Sequence, residues 1–479
     1  MKNSVFVKYY PQFLLLIVAF TFFTRMYRLH IPEEYMFDEV YHAVTAKLMV
    51  DGDMRAYEWH NPPPEPNTAV DWLHPPYAKL TQAASMAIFG KNSFGWRFSS
   101  VIFGCLVVLV TAKIAEALFK NKQLALLSAF LVSLDGLLFT MSRIAMNDVH
   151  VTFFILLSMW QYILYINSKH EEKKYILFSS IAAGLAIGTK WSGAFAIGFI
   201  GITETIYTLK TIFRSKTKLV SLFEKIFPKH FVKINIPFLL QQIALLFVTC
   251  ILIPVILYLG SYSQMFLMGK DLNHLIEMHK NTWWYQTNLT ATHPAQSKPI
   301  QWFLNTKPVW ISVDYETKNM RADIYAIGNP ALFWLGNLAL FASVYTLILS
   351  KLKKKPNILT TLKKLLNRKI KLHETIQEHE AAMLGLLLFA YAIVWMPWQL
   401  SPRIMFFYHY LPAVPLLTIN LSYWLYKLWN TQRFRLFSFL AIALIFTCFA
   451  VFYPHMSFIK MPIEFKENVY FFFDFWKQT

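Results

Sequence analysis

Charged residues are scarce in this chain. Asp, Glu, Lys and Arg together make up 15% of its 479 residues, whereas hydrophobic residues make up 56%. Soluble globular domains carry about 25% charged residues, so the composition excludes a chain built only of such domains. Repeated apolar runs close to the roughly twenty residues that cross a bilayer predict a polytopic membrane protein.

Cysteine is also rare. The three cysteines, Cys105, Cys250 and Cys448, lie inside apolar runs and have neither disulfide nor metal-site spacing, so we expect buried thiols. Internal repeats are absent, and so is any convincing metal-ligand spacing among His, Cys and carboxylates. No cofactor is therefore predicted. The adjacent acids Asp38 and Glu39 leave a divalent cation as an open alternative.

Eleven apolar runs predict transmembrane helices. These runs cover residues 11–30, 96–118, 123–140, 149–166, 175–189, 191–209, 238–260, 331–350, 382–398, 404–426 and 435–453. We expect residues 1–479 to form a single all-α membrane domain. Two long loops, 31–95 and 261–330, would form its soluble face. The aromatic segment 470–476 is too short to span and is expected at the membrane interface.

Lys and Arg are concentrated in two linkers. Residues 351–371 contain nine of them and residues 210–233 contain seven. The positive-inside rule places these linkers and the N-terminus in the cytoplasm, and the two long loops outside. Orientation alone accounts for the basic runs, although contact with anionic lipid headgroups is an alternative. Because the net charge of +19 gathers in such linkers, we expect no nucleic-acid partner.

Polar residues lie at the external ends of several predicted helices. The set comprises Asp38, Glu39, Arg97, Arg143, Asp148, Lys190, Arg403 and His409. Charges near membrane depth are costly, which makes such residues candidates for function. Each also has a structural interpretation, such as an ion pair, an arginine that reaches to the headgroups, or a packed histidine. Their placement on one face favours a site.

Acids beside cations at a membrane surface suit glycosyl transfer from a lipid-linked phosphate sugar. A carboxylate can remove the proton of an acceptor hydroxyl group as the new bond forms. Cations can stabilise the departing lipid phosphate. A transporter or flippase is the alternative from another class, but the sequence shows no paired inverted repeats.

Six motifs carry a family resemblance. FDEVYHA, LHPPYAKL, MSRIAMND, GTKWSG, ATHPAQSKPIQW and FFYHYLPAVP occur in this order. They resemble the motifs of the dolichyl-phosphate-mannose–protein mannosyltransferase family of GT-C membrane glycosyltransferases, over residues 37 to 420. The resemblance implies a GT-C fold with about eleven transmembrane helices. It also implies a polyprenyl-phosphate mannose donor and inverting transfer to Ser or Thr hydroxyl groups of a protein acceptor.

The resemblance and the polar set on the external face together predict roles for individual residues. Asp38 matches the family's general base, and Glu39 accompanies it. Donor phosphate or sugar binding is expected of His74, Arg97, Lys190 and Arg403. Supporting roles are expected of Arg143, Asp148, His293 and His409. Asp71 lies three residues before His74 rather than the family's two, so the resemblance assigns it no role.

The chain departs from the eukaryotic members in its second long loop. Residues 261–330 are too few for the β-trefoil domain that those members carry, and the short form resembles bacterial members. A plasma (inner) membrane is therefore expected, or the endoplasmic reticulum membrane in a eukaryotic host. The loop's tryptophans fit an acceptor groove or an interfacial belt. Transfer to a lipid or cell-wall acceptor stays an alternative.

Overall fold

The computed structural model describes residues 5–62, 64–214, 236–314, 319–353 and 378–477, which are mostly helical. The helices are α1 Val5–Lys8, α2 Tyr10–Met26, α3 Glu39–Asp51, α4 Tyr77–Phe89, α5 Ser93–Phe119, α6 Lys122–Ser133, α7 Gly136–Met141, α8 Asp148–Asn167, α9 Lys173–Ile187, α10 Ala194–Arg214, α11 Ile236–Phe247, α12 Ile253–Ser261, α13 Ser263–Leu267, α14 Leu272–Asn288, α15 Pro299–Leu304, α16 Pro330–Lys353, α17 Glu378–Trp395, α18 Ala413–Trp429, α19 Arg435–Met456 and α20 Ile463–Phe465. The basic linkers 210–233 and 351–371 lie mostly outside the described residues.

Helices occur at all eleven predicted positions. Seven helical stretches of the described chain are long and apolar enough to cross a membrane. They are Ser93–Phe119, Asp148–Asn167, Trp191–Ile212, Ile236–Ser261, Pro330–Ser350, Glu378–Leu400 and Gln432–Met456. Helices α2 and α6 are shorter apolar helices. The number of eleven crossings therefore stays a prediction.

The predicted tenth helix begins later than expected. It was expected from residue 404, whereas α18 begins at Ala413 and residues 407–410 form a 3₁₀ turn. Pro412 precedes α18 and has no N–H with which to extend a helix back toward its start. Arg403 and His409 consequently lie in an irregular segment before the helix, not inside it.

A small antiparallel sheet interrupts the all-helical pattern. Strands β1 Val309–Asp314 and β2 Met320–Ala326 pair in the second long loop, and β3 Met461–Pro462 pairs with β2. The C-terminal segment packs on this sheet through Lys466, whose Nζ lies 2.6 Å from Oδ2 of Asp323. Trp476, expected at the membrane interface, is buried and donates to the carbonyl group of Asn305 at 2.7 Å.

Close helix packing positions the elements that carry the polar residues. Gly104 of α5 lies against Ser142, where a Cβ atom would meet the Ser142 Cβ at 2.6 Å. Small residues at helix contacts let backbones approach closely, as is common between membrane helices. The close approach brings α5 beside the turn at residues 142–147, which joins α7 to α8 and holds Arg143.

Candidate functional site

The segment that leads from α2 to Asp38 is held by two buried arginines. Arg143 donates to the backbone carbonyl groups of residues 25, 27 and 28 at 2.6, 2.7 and 3.3 Å. Arg97 donates to the carbonyl groups of residues 29, 32 and 34 at 3.1, 2.6 and 2.8 Å. The carbonyl groups of an irregular segment lack helical N–H partners, and here the N–H groups of these two arginines donate to them instead.

Glu39 and Arg97 form a fully buried ion pair. Oε1 of Glu39 accepts from Nε of Arg97 at 2.9 Å, and Oε2 accepts from Nη2 at 2.8 Å. The same carboxylate accepts the backbone N–H groups of Met36 and Ala145, each at 2.9 Å. Together with the three carbonyl contacts, all five N–H groups of Arg97 are used. The pair joins the first loop to α5 and to the turn that precedes α8.

Asp38 immediately precedes α3, and its carbonyl group accepts the N–H groups of Tyr41 and His42 at 3.0 and 3.1 Å. Phe37 before it has φ 47°, a left-handed conformation that is rare for a bulky residue and clusters at functional sites. Burial raises the pKa of the half-buried Asp38 carboxyl group to about 6. At neutral pH the group is mainly ionised, yet it is a stronger base than an ordinary aspartate.

Lys190 and Asp148 lie beside Asp38. Nζ of Lys190 donates to Oδ1 of Asp148 at 2.8 Å, and both side chains are buried. The same Nζ lies 5.5 Å from the ring centroid of Tyr408, whose hydroxyl group interacts with Asp38. Asp148 raises the pKa of Asp38 and Lys190 lowers it, after the larger effects of burial and His42. Lys190 is thus a buried cation with a single carboxylate partner among the described residues.

Asp71 is the centre of a second cluster, just before α4. Its carboxylate lies 2.9 Å from Nδ1 of His42, Nδ1 of His74 and Nζ of Lys79. The contact with His42 is bent away from ideal hydrogen-bond geometry. Burial opposes ionisation of Asp71, but His74, Lys79 and His42 hold its pKa well below the usual value. Asp71 is therefore a permanent carboxylate that connects His42 of α3 to the HPP motif and to Lys79 of α4.

This cluster offers three ligand atoms to a cation. Nitrogen and oxygen atoms of His42, Asp71 and His74 lie within 4.8 Å of one another. Lys79 already neutralises the carboxylate at 2.9 Å and also donates to the carbonyl groups of Asp71 and His74. A resident ammonium group at the same carboxylate disfavours a second cation, so the donor set suits a hydrogen-bonded cluster better than a metal site.

Arg403 differs from the other arginines of the site. Its half-buried guanidinium group has no hydrogen-bond or ion-pair partner in the described part of the chain, and its Nε is buried. Burial lowers its pKa, although Tyr408 and Tyr285 oppose that effect. Buried donors are normally satisfied, so a guanidinium group without partners is ready for an anion.

The two remaining predicted residues, His409 and His293, differ in burial. His409 is buried against Trp302, with ring centroids 6.0 Å apart, and burial lowers its pKa well below the usual value. Lys190 and Arg403 lower it further, so the ring is neutral at pH 7. His293 is exposed, and its ring lies 6.2 Å from that of Phe37.

The structure brings most of the predicted residues together. Asp148 and Lys190 lie near Asp38, and Tyr408 interacts with Asp38, Asp148 and Arg403. His409 in turn lies near Lys190, Arg403 and His74. Glu39, Arg97 and Arg143 lie behind Asp38 as supports of its loop, and His293 lies at the edge. Sequence reasoning missed His42, Asp71, Lys79 and Tyr408. The spacing of His42, four residues after Asp38 at the start of a helix, is the one signal that could have revealed it.

An apolar groove begins next to Lys190. It has a volume of about 570 Å³ and lies between α9, α10, the turn 248–252 and α12. Its lining consists of Ile187, Trp191, Ala194, Ile197, Cys250, Ile251, Pro254, Val255 and Tyr258. Tyr258 accepts the Nε1–H of Trp191 at 2.9 Å, which fixes the tryptophan at the end of the groove nearest the site. A groove of this lining suits a hydrocarbon chain.

Two family models together match almost the whole chain. Residues 15–267 match the model described as dolichyl-phosphate-mannose-protein mannosyltransferase. Residues 271–464 match the C-terminal four TMM region of protein-O-mannosyltransferase. The matched ranges include every residue predicted for the site.

Relatives with related names occur in bacteria. A polyprenol-phosphate-mannose–protein mannosyltransferase of Corynebacterium glutamicum is 24% identical over 316 residues, which cover 55% of this chain and 58% of the relative. The protein of the same name from Mycolicibacterium smegmatis is 23% identical over 377 residues, which cover 67% and 68%. The chain thus spans about three fifths to two thirds of these relatives.

Solved structures share the fold. The Saccharomyces cerevisiae protein O-mannosyltransferase Pmt1-Pmt2 complex bound to the sugar donor aligns with TM-score 0.75 and 14% identity, over 99% of this chain and 93% of that chain. ArnT from Cupriavidus metallidurans bound to undecaprenyl phosphate aligns with TM-score 0.52 and 14% identity, over 91% and 63%. These similarities confirm the predicted GT-C fold. The chain is a multi-span membrane protein that belongs to the dolichyl-phosphate-mannose–protein mannosyltransferase family.

Proposed function

We propose that this protein transfers mannose, with inversion, from a polyprenyl-phosphate donor to Ser or Thr hydroxyl groups of a protein. The observation that carries the proposal is the half-buried Asp38, with a pKa raised to about 6, together with the cations Lys190 and Arg403, which are near the same Tyr408 as Asp38. The names of the relatives in C. glutamicum and M. smegmatis support the donor and the protein acceptor.

Asp38 acts as the general base. As the acceptor oxygen forms its bond to C1 of mannose, its proton moves to a carboxylate oxygen of Asp38. The bond between C1 and the phosphate oxygen breaks on the opposite face, and both of its electrons leave with the lipid phosphate. A single displacement of this kind inverts the configuration at C1 and needs one carboxylate.

Lys190 and Arg403 receive the phosphate charge. Lys190 has one carboxylate partner and Arg403 has none among the described residues, so both have N–H donors to offer. His74 and His409, whose pKa values burial lowers, contribute as neutral groups. The apolar groove that begins at Trp191 lies next to Lys190 and accepts the isoprenoid chain of the donor.

Arg97 and Glu39 act as positioning residues. The expectation from the sequence was that Arg97 binds the donor and Glu39 takes part in the chemistry. Since all five N–H groups of Arg97 bind protein oxygens, phosphate contact would require breaking the pair that holds the loop. We therefore assign both residues to the orientation of Asp38, together with Arg143.

The proposed location is the plasma (inner) membrane, with a cytoplasmic N-terminus and an external site. The distribution of Lys and Arg supports this orientation, and the bacterial relatives support the plasma membrane. Single cysteines test it. A cysteine at position 74 should react with an impermeant reagent in intact cells. A cysteine at position 360, in the segment outside the described residues, should react only after permeabilisation. The reverse result would overturn the orientation.

The activity is tested with purified protein, polyprenyl-phosphate mannose and a Ser/Thr-rich peptide. We expect mannosyl peptide, with the sugar in the configuration opposite to that of the donor. Asp38→Asn is the test variant. Asp51→Asn is its matched control, because Asp51 is an exposed acid of the same loop in a surface pair with Lys91. Transfer to a lipid acceptor with no peptide product would instead support a GT-C transferase of lipids or cell-wall polymers.

A further inference from the structure

The turn that holds His74 is closed by the buried Lys79. The Lys79 ammonium group has three N–H donors, and each has a protein oxygen as its partner. These partners are the carbonyl oxygen of Asp71 at 2.6 Å, Oδ2 of Asp71 at 2.9 Å and the carbonyl oxygen of His74 at 2.8 Å. Lys79 therefore fixes the backbone between residues 71 and 74 and balances the charge of the buried Asp71 carboxylate.

The other oxygen of that carboxylate fixes the ring of His74. Nδ1 of His74 and Oδ1 of Asp71 form a hydrogen bond of 2.9 Å. A nitrogen lone pair that faced the carboxylate would be repelled, so Nδ1 carries a proton and donates it to Asp71. Because Lys79 already supplies the positive charge that balances Asp71, a second positive charge on the His74 ring would have no partner. The ring is thus neutral, and its free lone pair is on Nε2.

His74 borders the candidate site, and its Nε2 is available to a ligand. The N–H group of Tyr77, which ends the same turn, donates to the carbonyl group of Gly188 at 3.1 Å. A Cβ atom on Gly188 would meet the ring of Tyr77 at 2.6 Å, so this turn packs directly on the turn that carries Lys190. Nε2 of His74 has no hydrogen-bond partner in the described part of the chain, and the side chain is 22% exposed.

We propose that Asp71 and Lys79 hold His74 in the tautomer whose Nε2 accepts a hydrogen bond from a hydroxyl group of the donor sugar. This inference rests on the proposed function and assigns the sugar and the phosphate to different residues. The phosphodiester of the donor has no proton to donate, and its oxygen atoms repel the lone pair of Nε2. The sugar is bonded directly to the phosphate that Lys190 receives, which places its hydroxyl groups beside His74. Asp71 and Lys79 are positioning residues, since they act through His74.

The first test separates contact with the sugar from contact with the phosphate. His74→Asn retains an N–H donor for Asp71, but its short side chain has no acceptor at the position of Nε2. We expect kcat/KM for the donor to fall about 3- to 10-fold, as for the loss of one hydrogen bond. The inhibition constant of free polyprenyl phosphate should not change. This inhibitor is measured at pH 8, where a phosphate monoester carries no proton.

Two further variants serve as controls for His74→Asn. His74→Gln is one methylene longer, which brings its amide oxygen close to the position of Nε2, so it should recover part of the lost kcat/KM. His60→Ala removes an exposed histidine of the same loop and should retain the wild-type value. Equal weakening of the donor and of free polyprenyl phosphate in His74→Asn would overturn the inference.

Donors that each lack one hydroxyl group of mannose identify the bond. For one of these donors, the wild-type protein should lose kcat/KM by a similar factor. His74→Asn should add no further loss with that donor, because the same hydrogen bond is already absent. Losses that add independently for every such donor would show that His74 contacts no sugar hydroxyl group and would overturn the inference.

The tautomer is measured without any activity by ¹⁵N NMR of histidine-labelled protein in detergent. The signals of His74 are those that His74→Asn removes. We expect a protonated Nδ1 and an unprotonated Nε2 at pH 8, and both tautomers in the double variant Asp71→Asn/Lys79→Gln, which keeps the cluster neutral. A protonated Nε2 in the wild type would overturn the inference. The expected tautomer in a protein that transfers no sugar from polyprenyl-phosphate mannose would instead count against the proposed function.

Discussion

The carboxylate of Glu39 and the guanidinium group of Arg97 form a bidentate pair, with N–O distances of 2.9 and 2.8 Å, and neither side chain is exposed to solvent. The pair lies directly behind Asp38. Arg97 and Arg143 together bind six backbone carbonyl groups between residues 25 and 34. The adjacent acids of the FDEVYHA motif thus have different surroundings: Asp38 is half-buried at the candidate site and Glu39 is tied to the scaffold.

Breaking the Glu39–Arg97 pair should destabilise the protein strongly. Glu39→Gln leaves a buried guanidinium group without its anion, which typically costs about 3–5 kcal/mol. Chemical unfolding in detergent should show this loss in the free energy of unfolding. In the Glu39→Gln protein, Arg97→Gln should lower that free energy by less than it does in the wild type. The surface pair of Asp51 and Lys91 is the control, since exposed pairs contribute about 0–1 kcal/mol. An Arg97→Lys protein of wild-type stability, with only a raised donor KM, would contradict the positioning role.

Asp38→Asn should lose most of its activity and yet be more stable than the wild type at pH 7.5. The folded protein raises the pKa of Asp38 from 3.8 to about 6, so the folded state binds this proton more tightly than the unfolded state. The stabilising contribution is complete below pH 3.8 and is lost as the pH rises through 6. Removing the ionised group should therefore stabilise the protein by at most ~3 kcal/mol at pH 7.5.

The stability of Asp38→Asn is measured by thermal unfolding of both proteins at pH 4 and pH 7.5. We expect the two curves to approach each other at pH 4, where both side chains are mostly neutral. If the variant is instead less stable than the wild type at pH 7.5, ionised Asp38 does not destabilise the folded protein.

The transfer rate should have an acidic limb near pH 6. Only the ionised form of Asp38 can accept a proton, and the fraction ionised falls about tenfold per pH unit well below its pKa. A profile of kcat/KM from pH 4.5 to 8 measures this limb. A limb near pH 4, as for an exposed aspartate, would count against the buried base.

Arg403→Gln should weaken donor binding more than it changes stability. A charge-assisted hydrogen bond contributes about 1.5–3 kcal/mol, so we expect the donor KM to rise on the order of 10- to 100-fold. Arg403→Lys should recover part of that loss. Inhibition by free polyprenyl phosphate should weaken in parallel, whereas the exposed Arg433→Gln should not change it. An unchanged donor KM in Arg403→Gln would remove this arginine from the phosphate site.

Apolar periodicity located the helices because each run is long enough to be recognised without knowledge of its neighbours. The start of α18 was missed because the aromatic run 404–411 resembles a helix, and only the prolines at 402 and 412 indicate otherwise. The Asp71 cluster could not be predicted because His42 and Lys79 meet Asp71 from two different helices. All five N–H groups of Arg97 are bound partly because carbonyl groups of an irregular segment accept them, and such carbonyl groups have no sequence signature.

The most direct test of the central claim is the single-turnover rate of mannosyl-peptide formation by Asp38→Asn, with polyprenyl-phosphate mannose saturating. Loss of the general base should reduce the wild-type rate by about 10²–10⁴-fold. Binding of the donor should be retained, because the contacts of Lys190 and Arg403 are unchanged. An Asp38→Asn protein that transfers mannose at the wild-type rate would contradict the account.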